Sequence, residues 1–515
     1  MDKEKRVRVR FAPSPTGGLH LGGMRTVLYN YLFARQHQGT FVLRIEDTDQ
    51  TRYVEGAEQY IQDCLDWCGL QADEGPTQGG SYGPYRQSER KALYRKYADQ
   101  LVAQGDAYYA FDTPEELQAM RQRVKSPAEL ARGGSAGGYD HHVRMQMRNS
   151  LSLPEGEVRE LLDAGTPYVI RFNMPAAEDV QFKDLIRGHI SFNTAQLDDK
   201  VLLKADGMPT YHLAVVVDDY LMEISHIFRG EEWLSSTPLH LLLWQKLGWS
   251  EALPEWAHLP LILKPNGKGK LSKRDGEKFG FPVYALQWAD AESNAPMKGF
   301  KEYGFLPAAF LNMLALLGWN DGSEQELFSL EELVARFALE RVHKGGAKFN
   351  YEKALWFNHM YIKESPAEKL LPYFTPYLKA HGVTASDEKA MAVLDLIKER
   401  CNLLPELWDN GYYFFQRPET YDLASIQKKW DSEKKSFFEG LLKLLETHPD
   451  SNAEELETSI RAFAEDNGQK AGQMLLPLRV MLVGGKFGPS VFEIAALLGN
   501  AETRERIAKV LPLLA

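Results

Sequence analysis

A turn rich in proline and glycine at residues 11–23 constrains the fold of this chain more than any other stretch. Before it, residues 6–11 alternate basic and apolar side chains as a half-buried strand does, and after it apolar residues recur at helical spacing. The pattern predicts a strand, a tight turn and a helix that begins at His20. Amides at a helix start favour phosphate, and glycine lets a ligand approach the backbone. We therefore expect a nucleotide-binding crevice at the edge of a doubly wound parallel sheet.

The same turn also fits a purely structural interpretation, in which prolines stiffen the chain and glycines adopt positive φ angles. It is not a Walker loop, because no Gly-Lys-Ser/Thr follows it, and its glycine spacing differs from that of a dinucleotide fingerprint. A second segment has to decide between the two interpretations.

That second segment is a glycine-containing cationic loop at residues 264–276. Its five Lys and Arg side chains repel one another unless a polyanion lies among them. Such a loop suits a reaction in which negative charge grows on a leaving pyrophosphate, because ammonium groups then stabilise the transition state more than the ground state. Taken alone, the loop also fits a solvated surface segment.

The rest of the chain continues the pattern of strands and helices. Residues 40–45 predict a second strand, and the long interruption at residues 86–203 predicts an inserted subdomain rather than a loop. The sheet is predicted to resume with strands at residues 210–217 and 224–229. Beyond residue 276 the apolar spacing is helical, which predicts an α-helical C-terminal half.

The two motifs together resemble a known pair. His20-Leu21-Gly22-Gly23 resembles the HIGH signature of class I aminoacyl-tRNA synthetases, and Lys270-Leu271-Ser272-Lys273-Arg274 resembles their KMSKS loop. More specifically, the chain resembles bacterial glutamyl-tRNA synthetases in residues 12–17, 44–49, 83–90, 206–214 and 229–233. With Pro477-Leu478-Arg479 included, the resemblance covers nearly the whole chain.

The resemblance implies a fold in several parts. The N-terminal half is expected to be α/β, with a Rossmann-like doubly wound parallel sheet and an inserted acceptor-binding subdomain, and the C-terminal half is expected to be all-α and to bind the anticodon. The expected domains are a catalytic domain at 1–85 and 204–260, the acceptor-stem insertion at 86–203, a stem-contact region with the KMSKS-like loop at 261–365, and helical anticodon-binding domains at 366–415 and 416–515.

For the ATP site the resemblance implies residues from both motifs. The amino acid carboxylate must attack the α-phosphorus of ATP in line and expel magnesium pyrophosphate, so positioning and charge can supply most of the rate. We expect ATP with Mg²⁺ as the substrate complex and His20, Lys270 and Lys273 as catalytic residues. The residues expected to bind ATP are Ala12, Ser14, His20, Gly22, Gly23, Glu232, Trp233, Lys270, Ser272 and Lys273.

A dicarboxylic amino acid brings two carboxylates and one ammonium, so its pocket needs two cations and an anion. Strand ends converge on the ligand crevice of such sheets, and Arg10, Glu46 and Arg229 all lie at predicted strand ends. The resemblance implies that Arg229 binds the side-chain carboxylate and that Tyr211 lines the pocket. The residues expected to bind glutamate are Arg10, Ser14, Glu46, Tyr211, Val215 and Arg229.

One of these positions departs from the family pattern. After Tyr211-His212-Leu213-Ala214 the family usually continues with asparagine, whereas this chain has Val215. An apolar group thus replaces an amide that would hydrogen-bond substrate. Another group or a water has to take over that bond, or binding weakens by about 1–3 kcal/mol.

The resemblance implies tRNA(Glu), L-glutamate and ATP as partners, with tRNA bound before the adenylate forms efficiently. Unstacked anticodon bases are usually held by arginine and aromatic side chains, and Arg400 and Arg479 resemble the anticodon-contacting arginines of the family. An arginine at the position of Arg400 is associated there with rejection of tRNA(Gln), so we expect a discriminating enzyme. The alternative is a non-discriminating synthetase that also charges tRNA(Gln).

Composition narrows the class further. The formal charge of −11 argues against indiscriminate nucleic-acid binding but leaves room for tRNA on local basic stripes. The chain has three cysteines and no second pair of zinc ligands. Some relatives hold zinc in the segment that matches Tyr108-Tyr109-Ala110-Phe111, and this segment has no cysteine. We therefore predict no structural zinc and no other metal site. Met1 leads straight into charged residues, and no apolar run reaches the roughly 18 residues of a membrane span. We therefore expect a cytoplasmic protein without a leader or membrane contact. We also expect a monomer.

Overall fold

The computed structural model describes residues 6–124, 138–289, 296–447 and 450–514. They form two compact units, Met1–Phe300 with Leu311–Asn350, and Lys301–Phe310 with Tyr351–Ala515. The first five residues, on which the expectation of a missing leader rests, lie outside the described residues. Within the described ranges no helix is both long and apolar enough to cross a bilayer.

The predicted strand, turn and helix at the start of the chain are all present. Strand β1 (Arg8–Phe11) pairs in parallel with β2 (Thr40–Leu43), and the helix Leu21–Gln36 connects them. The helix begins where the Nδ1 atom of His20 accepts the Gly22 amide at 2.9 Å. Both strands are buried at every residue rather than half-buried, as is typical of parallel strands covered on both faces.

A second sheet has four strands, β5 (Asp179–Asp184), β6 (Gly188–Asn193), β8 (His226–Gly230) and β9 (Glu255–Leu259). Their order in the sheet is β6–β5–β9–β8. β9 pairs in parallel with both β5 and β8, and the Ser225 amide, just before β8, donates to the Arg8 carbonyl at 2.9 Å. β5 and β6 come from residues 86–203, so the pairing of β5 with β9 crosses the domain boundary expected at residue 203. The five-part domain division stays a prediction.

The other strands form small sheets in the first unit. Strands β3 (Ala107–Ala110), β4 (Val169–Phe172) and β7 (Val201–Leu203) make an antiparallel sheet inside residues 86–203. Two-residue pairs are formed by β10 (Ile262–Leu263) with β13 (Ala347–Lys348) and by β11 (Trp288–Ala289) with β12 (Pro296–Met297).

One strand prediction is wrong. Residues 210–217 do not resume the sheet but lead into the helix Tyr211–Leu221. Its residues from Leu213 to Asp219 are all buried, so the helix has no solvated face that would reveal its period. A short apolar run of this kind cannot be distinguished from a buried strand by periodicity alone.

Helices cover the strands of the first unit and make up most of the second. The helices that begin before residue 351 are Leu21–Gln36, Ala57–Cys68, Lys91–Gln104, Pro114–Val124, Glu155–Asp163, Tyr211–Leu221, Thr237–Lys246, Asp275–Phe279, Phe300–Tyr303, Pro307–Leu316 and Leu330–Arg336. Those that follow are Tyr351–Glu364, Ala367–Ala380, Asp387–Ile397, Pro405–Asp409, Ala424–Gln427, Ser432–Thr447, Ala453–Asp466, Ala471–Val483, Val491–Leu498 and Asn500–Val510.

The second unit shows why its sequence forms helices. The helix Ala453–Asp466 begins with a capping box in which Asn452 and Glu455 bond each other's backbone amides. Its buried residues Leu456, Ile460 and Ala464 lie four apart on one face. Such apolar faces meet in one hydrophobic core. The predicted fold class, α/β in the N-terminal half and helical in the C-terminal half, is confirmed.

Candidate active site

A cavity of about 760 Å³ opens in the first unit beside the ends of β1 and β8 and the start of the helix Leu21–Gln36. Residues from the proline- and glycine-rich turn, the cationic loop and the segments 44–49, 83–90, 206–214 and 229–233 meet around it. The predicted site residues that line it are Arg10, Ala12, Ser14, His20, Gly22, Gly23, Glu46, Tyr211, Arg229, Glu232, Trp233 and Lys270.

His20 lies at the wall of this cavity as a neutral imidazole. Burial, followed by the charges of Lys270 and Lys273, lowers the pKa of His20 to about 4. Because its Nδ1 atom accepts the Gly22 amide, the ring proton is on Nε2, which is left as a donor. A Cβ atom on Gly22 would be 2.8 Å from the His20 ring, so glycine is needed for this close approach.

The cationic loop contacts the same wall. Lys270 forms an ion pair with the Glu232 carboxylate. Burial raises the pKa of Glu232, but the hydrogen bonds and charges around it, chiefly those of Lys270, together hold that pKa below its usual value. The loop start is fixed by Lys264, whose Nζ atom is 3.0 Å from Asp275 Oδ1.

Ser272 and Lys273 are predicted ATP residues that do not line the main cavity. The Ser272 hydroxyl donates to Asp275 Oδ2 at 2.6 Å, at the start of the short helix Asp275–Phe279. The Lys273 Nζ atom lies next to Gly17 in the proline- and glycine-rich turn. A Cβ atom added to Gly17 would be only 2.8 Å from Lys273 Nζ. The structure thus brings the two sequence motifs into contact, although they are more than 240 positions apart.

Arg10 is held by a carboxylate of the protein. Its Nε and Nη2 atoms donate to the two oxygens of Asp219 at 3.0 and 3.2 Å. Asp219 also accepts from Arg44 at 2.8 Å, and Arg44 donates to Glu46 Oε1 at 3.0 Å. Burial raises the pKa of Asp219, but the charges of Arg10 and Arg44 outweigh burial and hold that pKa below its usual value.

Glu46 is a buried carboxylate of this network, with 8% of its surface exposed. Burial raises its pKa against the opposing charges of Arg44 and Arg10. The neighbouring Asp218 accepts from Arg90 at 2.7 Å. Three guanidinium groups and three carboxylates therefore balance in this network, as buried charges require.

Arg229 has a different environment. Its guanidinium donates to His258 Nε2 at 3.0 Å, Tyr211 Oη at 3.0 Å, His240 Nδ1 at 3.2 Å and Thr237 Oγ1 at 2.7 Å. No carboxylate among the described residues forms an ion pair with it. Arg229 therefore brings an uncompensated positive charge to the cavity, although only 6% of its surface is exposed.

Val215 is the glutamate candidate that the structure keeps away from the cavity lining. It lies within the helix Tyr211–Leu221, is 2% exposed and belongs to the hydrophobic core of the first unit. An apolar side chain suits that environment better than the amide usual in the family.

Sequence reasoning missed Arg44, Asp218 and Asp219 as partners of the pocket, and Asp184, His240 and His258 as partners of Arg229. A signal for the first group was present, because two carboxylates that end an apolar run such as residues 213–217 need buried partners. His258 lies in a plain apolar strand 74 positions from its partner Asp184, and nothing in the local pattern marks it.

The two predicted anticodon arginines lie in the second unit. Arg400 is exposed after the helix Asp387–Ile397, and Arg479 lies in the helix Ala471–Val483. Arg479 donates to the Phe487 and Gly488 carbonyls, both at 3.1 Å. Burial, and less strongly the charge of Arg400, lower the pKa of Arg479. The nearby Phe487 is 42% exposed.

The described residues contain no group of three or more His, Cys, Asp or Glu side chains arranged to hold a metal ion. Cys64, Cys68 and Cys401 are buried thiols. Burial raises the pKa of Cys68 well above its usual value and that of Cys401 to about 12. The absence of a structural zinc ion stays a prediction.

Comparison with known proteins agrees with this arrangement. A family model for the catalytic domain of class I tRNA synthetases (E and Q) matches residues 6–356, and a model for an anticodon-binding domain matches residues 366–511. The glutamate–tRNA ligase of Amoebophilus asiaticus is 51% identical over 508 residues, which cover 99% of this chain and 98% of that protein. The glutamate–tRNA ligase of Porphyromonas gingivalis is 50% identical over 511 residues, 99% of each chain.

A solved structure is similar over the whole chain. It is the crystal structure of a glutamate tRNA ligase from Elizabethkingia meningosepticum in complex with its amino acid, with a TM-score of 0.93 and 48% identity, covering 99% of this chain and 100% of that one. The chain belongs to the glutamate–tRNA ligase family of the class I tRNA synthetases.

Proposed function

We propose that the protein attaches L-glutamate to tRNA(Glu) in two steps, through a glutamyl-adenylate, and releases AMP and diphosphate. The observation that carries this proposal is Arg229, a buried guanidinium without a carboxylate partner among the described residues, in the same cavity as His20 and Lys270. A cation in this state favours a ligand that supplies the missing carboxylate. The side-chain carboxylate of glutamate meets that requirement.

In the first step an oxygen of the α-carboxylate attacks the α-phosphorus of ATP. The bond from that phosphorus to the bridging oxygen breaks, and diphosphate leaves with Mg²⁺. The neutral His20 can donate its Nε2 proton to a phosphate oxygen, together with the Gly23 amide in the first turn of its helix. Lys270 and Lys273 supply the positive charge that the leaving group needs.

Lys270 has a carboxylate partner before ATP binds, which is Glu232. ATP phosphate oxygens would compete with Glu232 for this ammonium group. Glu232 and Trp233 would then contact the adenosine side, where the Trp233 ring is 42% exposed and lies 4.6 Å from the Tyr211 ring centre. We expect Ala12, Ser14, Gly22, Gly23 and Ser272 to complete the ATP site.

Glutamate would bind between strand ends. Arg229 and the Tyr211 hydroxyl would hold the side-chain carboxylate. Glu46, whose carboxylate accepts from Arg44 through Oε1, would accept from the ammonium group. Arg10 already donates twice to Asp219, so the α-carboxylate would bind to its remaining N–H groups on Nη1 and Nη2. Asp219 thus compensates the charge of Arg10, whereas no carboxylate of the described residues compensates the charge of Arg229.

In the second step the terminal adenosine hydroxyl of tRNA attacks the adenylate carbonyl, and AMP leaves. We propose that Arg400 and Arg479 contact anticodon bases and that Arg400 makes the enzyme discriminate against tRNA(Gln). This is supported by the exposure of Arg400 and by the position of both arginines in the helical second unit. A non-discriminating enzyme is the alternative. We further propose that the protein works in the cytoplasm as a monomer without structural zinc.

The test is charging of purified tRNA(Glu) and tRNA(Gln) with labelled glutamate. We expect tRNA(Glu) alone to be charged, and Arg400→Gln to raise the charging of tRNA(Gln) relative to tRNA(Glu). The matched control is Arg461→Gln, an exposed arginine on another helix of the second unit, which should leave that ratio unchanged. Equal charging of both tRNAs by the unaltered protein would establish the non-discriminating alternative.

A further inference from the structure

Behind Arg229 lies a chain of hydrogen bonds that leads away from the cavity. The Arg229 Nε atom is 3.0 Å from His258 Nε2, and the His258 Nδ1 atom is 2.6 Å from Asp184 Oδ2. His258 and Asp184 have no exposed side-chain surface. Neither residue lines the cavity, so neither can contact substrate directly.

The chemistry of the partners determines where the protons lie. A guanidinium only donates and an ionised carboxylate only accepts. His258 must therefore accept from Arg229 at Nε2 and donate to Asp184 from Nδ1. This arrangement requires the neutral Nδ1–H tautomer of His258. Burial lowers the pKa of His258, and the charge of Arg229 acts in the same direction against the opposing bond to Asp184.

Asp184 is itself held firmly. Its Oδ1 atom accepts the amides of Ile186 at 3.0 Å and Arg187 at 2.8 Å, in the turn between β5 and β6. Its Oδ2 atom also accepts the His258 amide at 3.1 Å. Burial raises the pKa of Asp184, but the bond from His258 and these amides outweigh burial and hold that pKa low.

A second chain of hydrogen bonds, made of histidines alone, lies on the other side of Arg229. Arg229 Nη1 lies 3.2 Å from His240 Nδ1, and His240 Nε2 lies 3.1 Å from His212 Nδ1. By the same argument His240 carries its proton on Nε2. Burial lowers the pKa of His240 well below its usual value and that of His212 to about 4. All of the acceptors around Arg229 are therefore neutral.

We propose that Asp184 and His258 are positioning residues for Arg229. They hold the Arg229 guanidinium through a neutral acceptor, so the guanidinium meets the substrate side chain with its full positive charge. Asp184 determines the His258 tautomer, and His258 orients Arg229 without neutralising it, because the carboxylate stays one imidazole ring away. A carboxylate in direct contact, such as Asp219 on Arg10, would compete with the carboxylate of the ligand. The arrangement therefore favours an acidic side chain over its amide. This inference rests on the proposed use of glutamate.

Two substitutions at His258 separate its two bonds. Asparagine can place an amide near the position of Nδ1 and still donate to Asp184, but it leaves no acceptor for Arg229. Glutamine reaches the position of Nε2 and can present its oxygen to Arg229. We expect His258→Asn to raise the KM for glutamate about tenfold, as is typical for the loss of one buried bond to a charged group. We expect His258→Gln to stay within about threefold of the unaltered protein.

The measurement is tRNA-dependent pyrophosphate exchange with separate titrations of glutamate and ATP. In His258→Asn the KM for ATP should stay unchanged, because the substitution acts only through Arg229. The matched control is His226→Asn on the same strand as Arg229, a histidine that bonds to Ser225. It should leave both KM values unchanged. Equal rises in the glutamate KM for His258→Asn and His258→Gln would overturn the proposal.

A second measurement does not depend on activity or on the folding of a variant. In protein with ¹⁵N-labelled histidine, the His258 ring should carry its proton on Nδ1 at pH 7, because Arg229 can only donate to Nε2 and Asp184 can only accept from Nδ1. A proton on Nε2 of His258 in the unaltered protein would overturn the proposal. If the unaltered protein showed no glutamate-dependent exchange but the predicted tautomer, the proposed function would fail while the hydrogen-bonded arrangement stood.

Discussion

Asp219 binds Arg10 through two parallel hydrogen bonds, Nε to Oδ1 at 3.0 Å and Nη2 to Oδ2 at 3.2 Å. The same carboxylate accepts from Arg44 at 2.8 Å. Arg10 and Arg229 line one cavity, yet only Arg10 has its charge balanced by a carboxylate of the described residues. The two arginines are therefore unequal, and each leads to a different expectation.

Asp219→Asn should lower the stability of the first unit. It leaves the buried Arg10 and Arg44 short of one negative charge, and removal of one member of a buried ion pair costs about 3–5 kcal/mol. Calorimetric unfolding should show a lower midpoint. Asp99→Asn is the matched control, because the Asp99 pair with Arg95 is exposed and one helical turn apart; its midpoint should barely move. Equal midpoints for the two variants would contradict the role given to Asp219.

Arg229→Gln should affect the use of glutamate rather than stability. Loss of the guanidinium leaves the side-chain carboxylate of the ligand without its partner, at a cost of about 3 kcal/mol or about 150-fold in KM. The KM for ATP should stay within about twofold of the original value. Arg95→Gln, at an exposed arginine, serves as the control. An unchanged glutamate KM in Arg229→Gln would remove Arg229 from the pocket.

Lys270→Ala and Lys273→Ala should each lower the kcat of pyrophosphate exchange by about 10²–10³, since each removes a charge that stabilises the leaving diphosphate. The KM for ATP should change less than kcat. Lys268 in the same loop serves as the control. Its side chain is exposed, and its backbone amide donates to the Asn266 side chain. If Lys268→Ala slowed exchange as much as Lys270→Ala, the effect would be one of general loop charge.

The imidazole of His20 should remain neutral far below the usual range of histidine. Its pKa is about 4 in the folded protein, whereas an unfolded histidine titrates near 6.5. The unfolded state thus binds more protons between these values. The stability that neutral His20 contributes is fully present above pH 6.5 and is lost as the pH falls toward 4. In ¹⁵N-histidine spectra, the signal that disappears in His20→Gln should not titrate above pH 5; a midpoint near 6.5 would contradict the burial argument.

Local patterns in the sequence were enough to predict the first strand, the turn and the helix at His20, because capping and apolar spacing depend on neighbouring residues. The cationic loop at Lys270 was equally evident. The helix at Val215 was mistaken for a strand, since a helix buried on all sides shows no period. The partners of Arg229 depend on packing between distant strands, so His258 and Asp184 could not be predicted from local pattern. The buried pairing of Arg10 with Asp219, 209 positions away, is of the same kind.

We propose that the cavity at Arg229 activates glutamate. The decisive experiment is pyrophosphate exchange across a panel of amino acids, with and without tRNA(Glu). We predict exchange with glutamate when tRNA(Glu) is present, and little or none with glutamine or aspartate. Absence of exchange with glutamate in the presence of tRNA(Glu), or equal exchange with glutamine, would contradict the account.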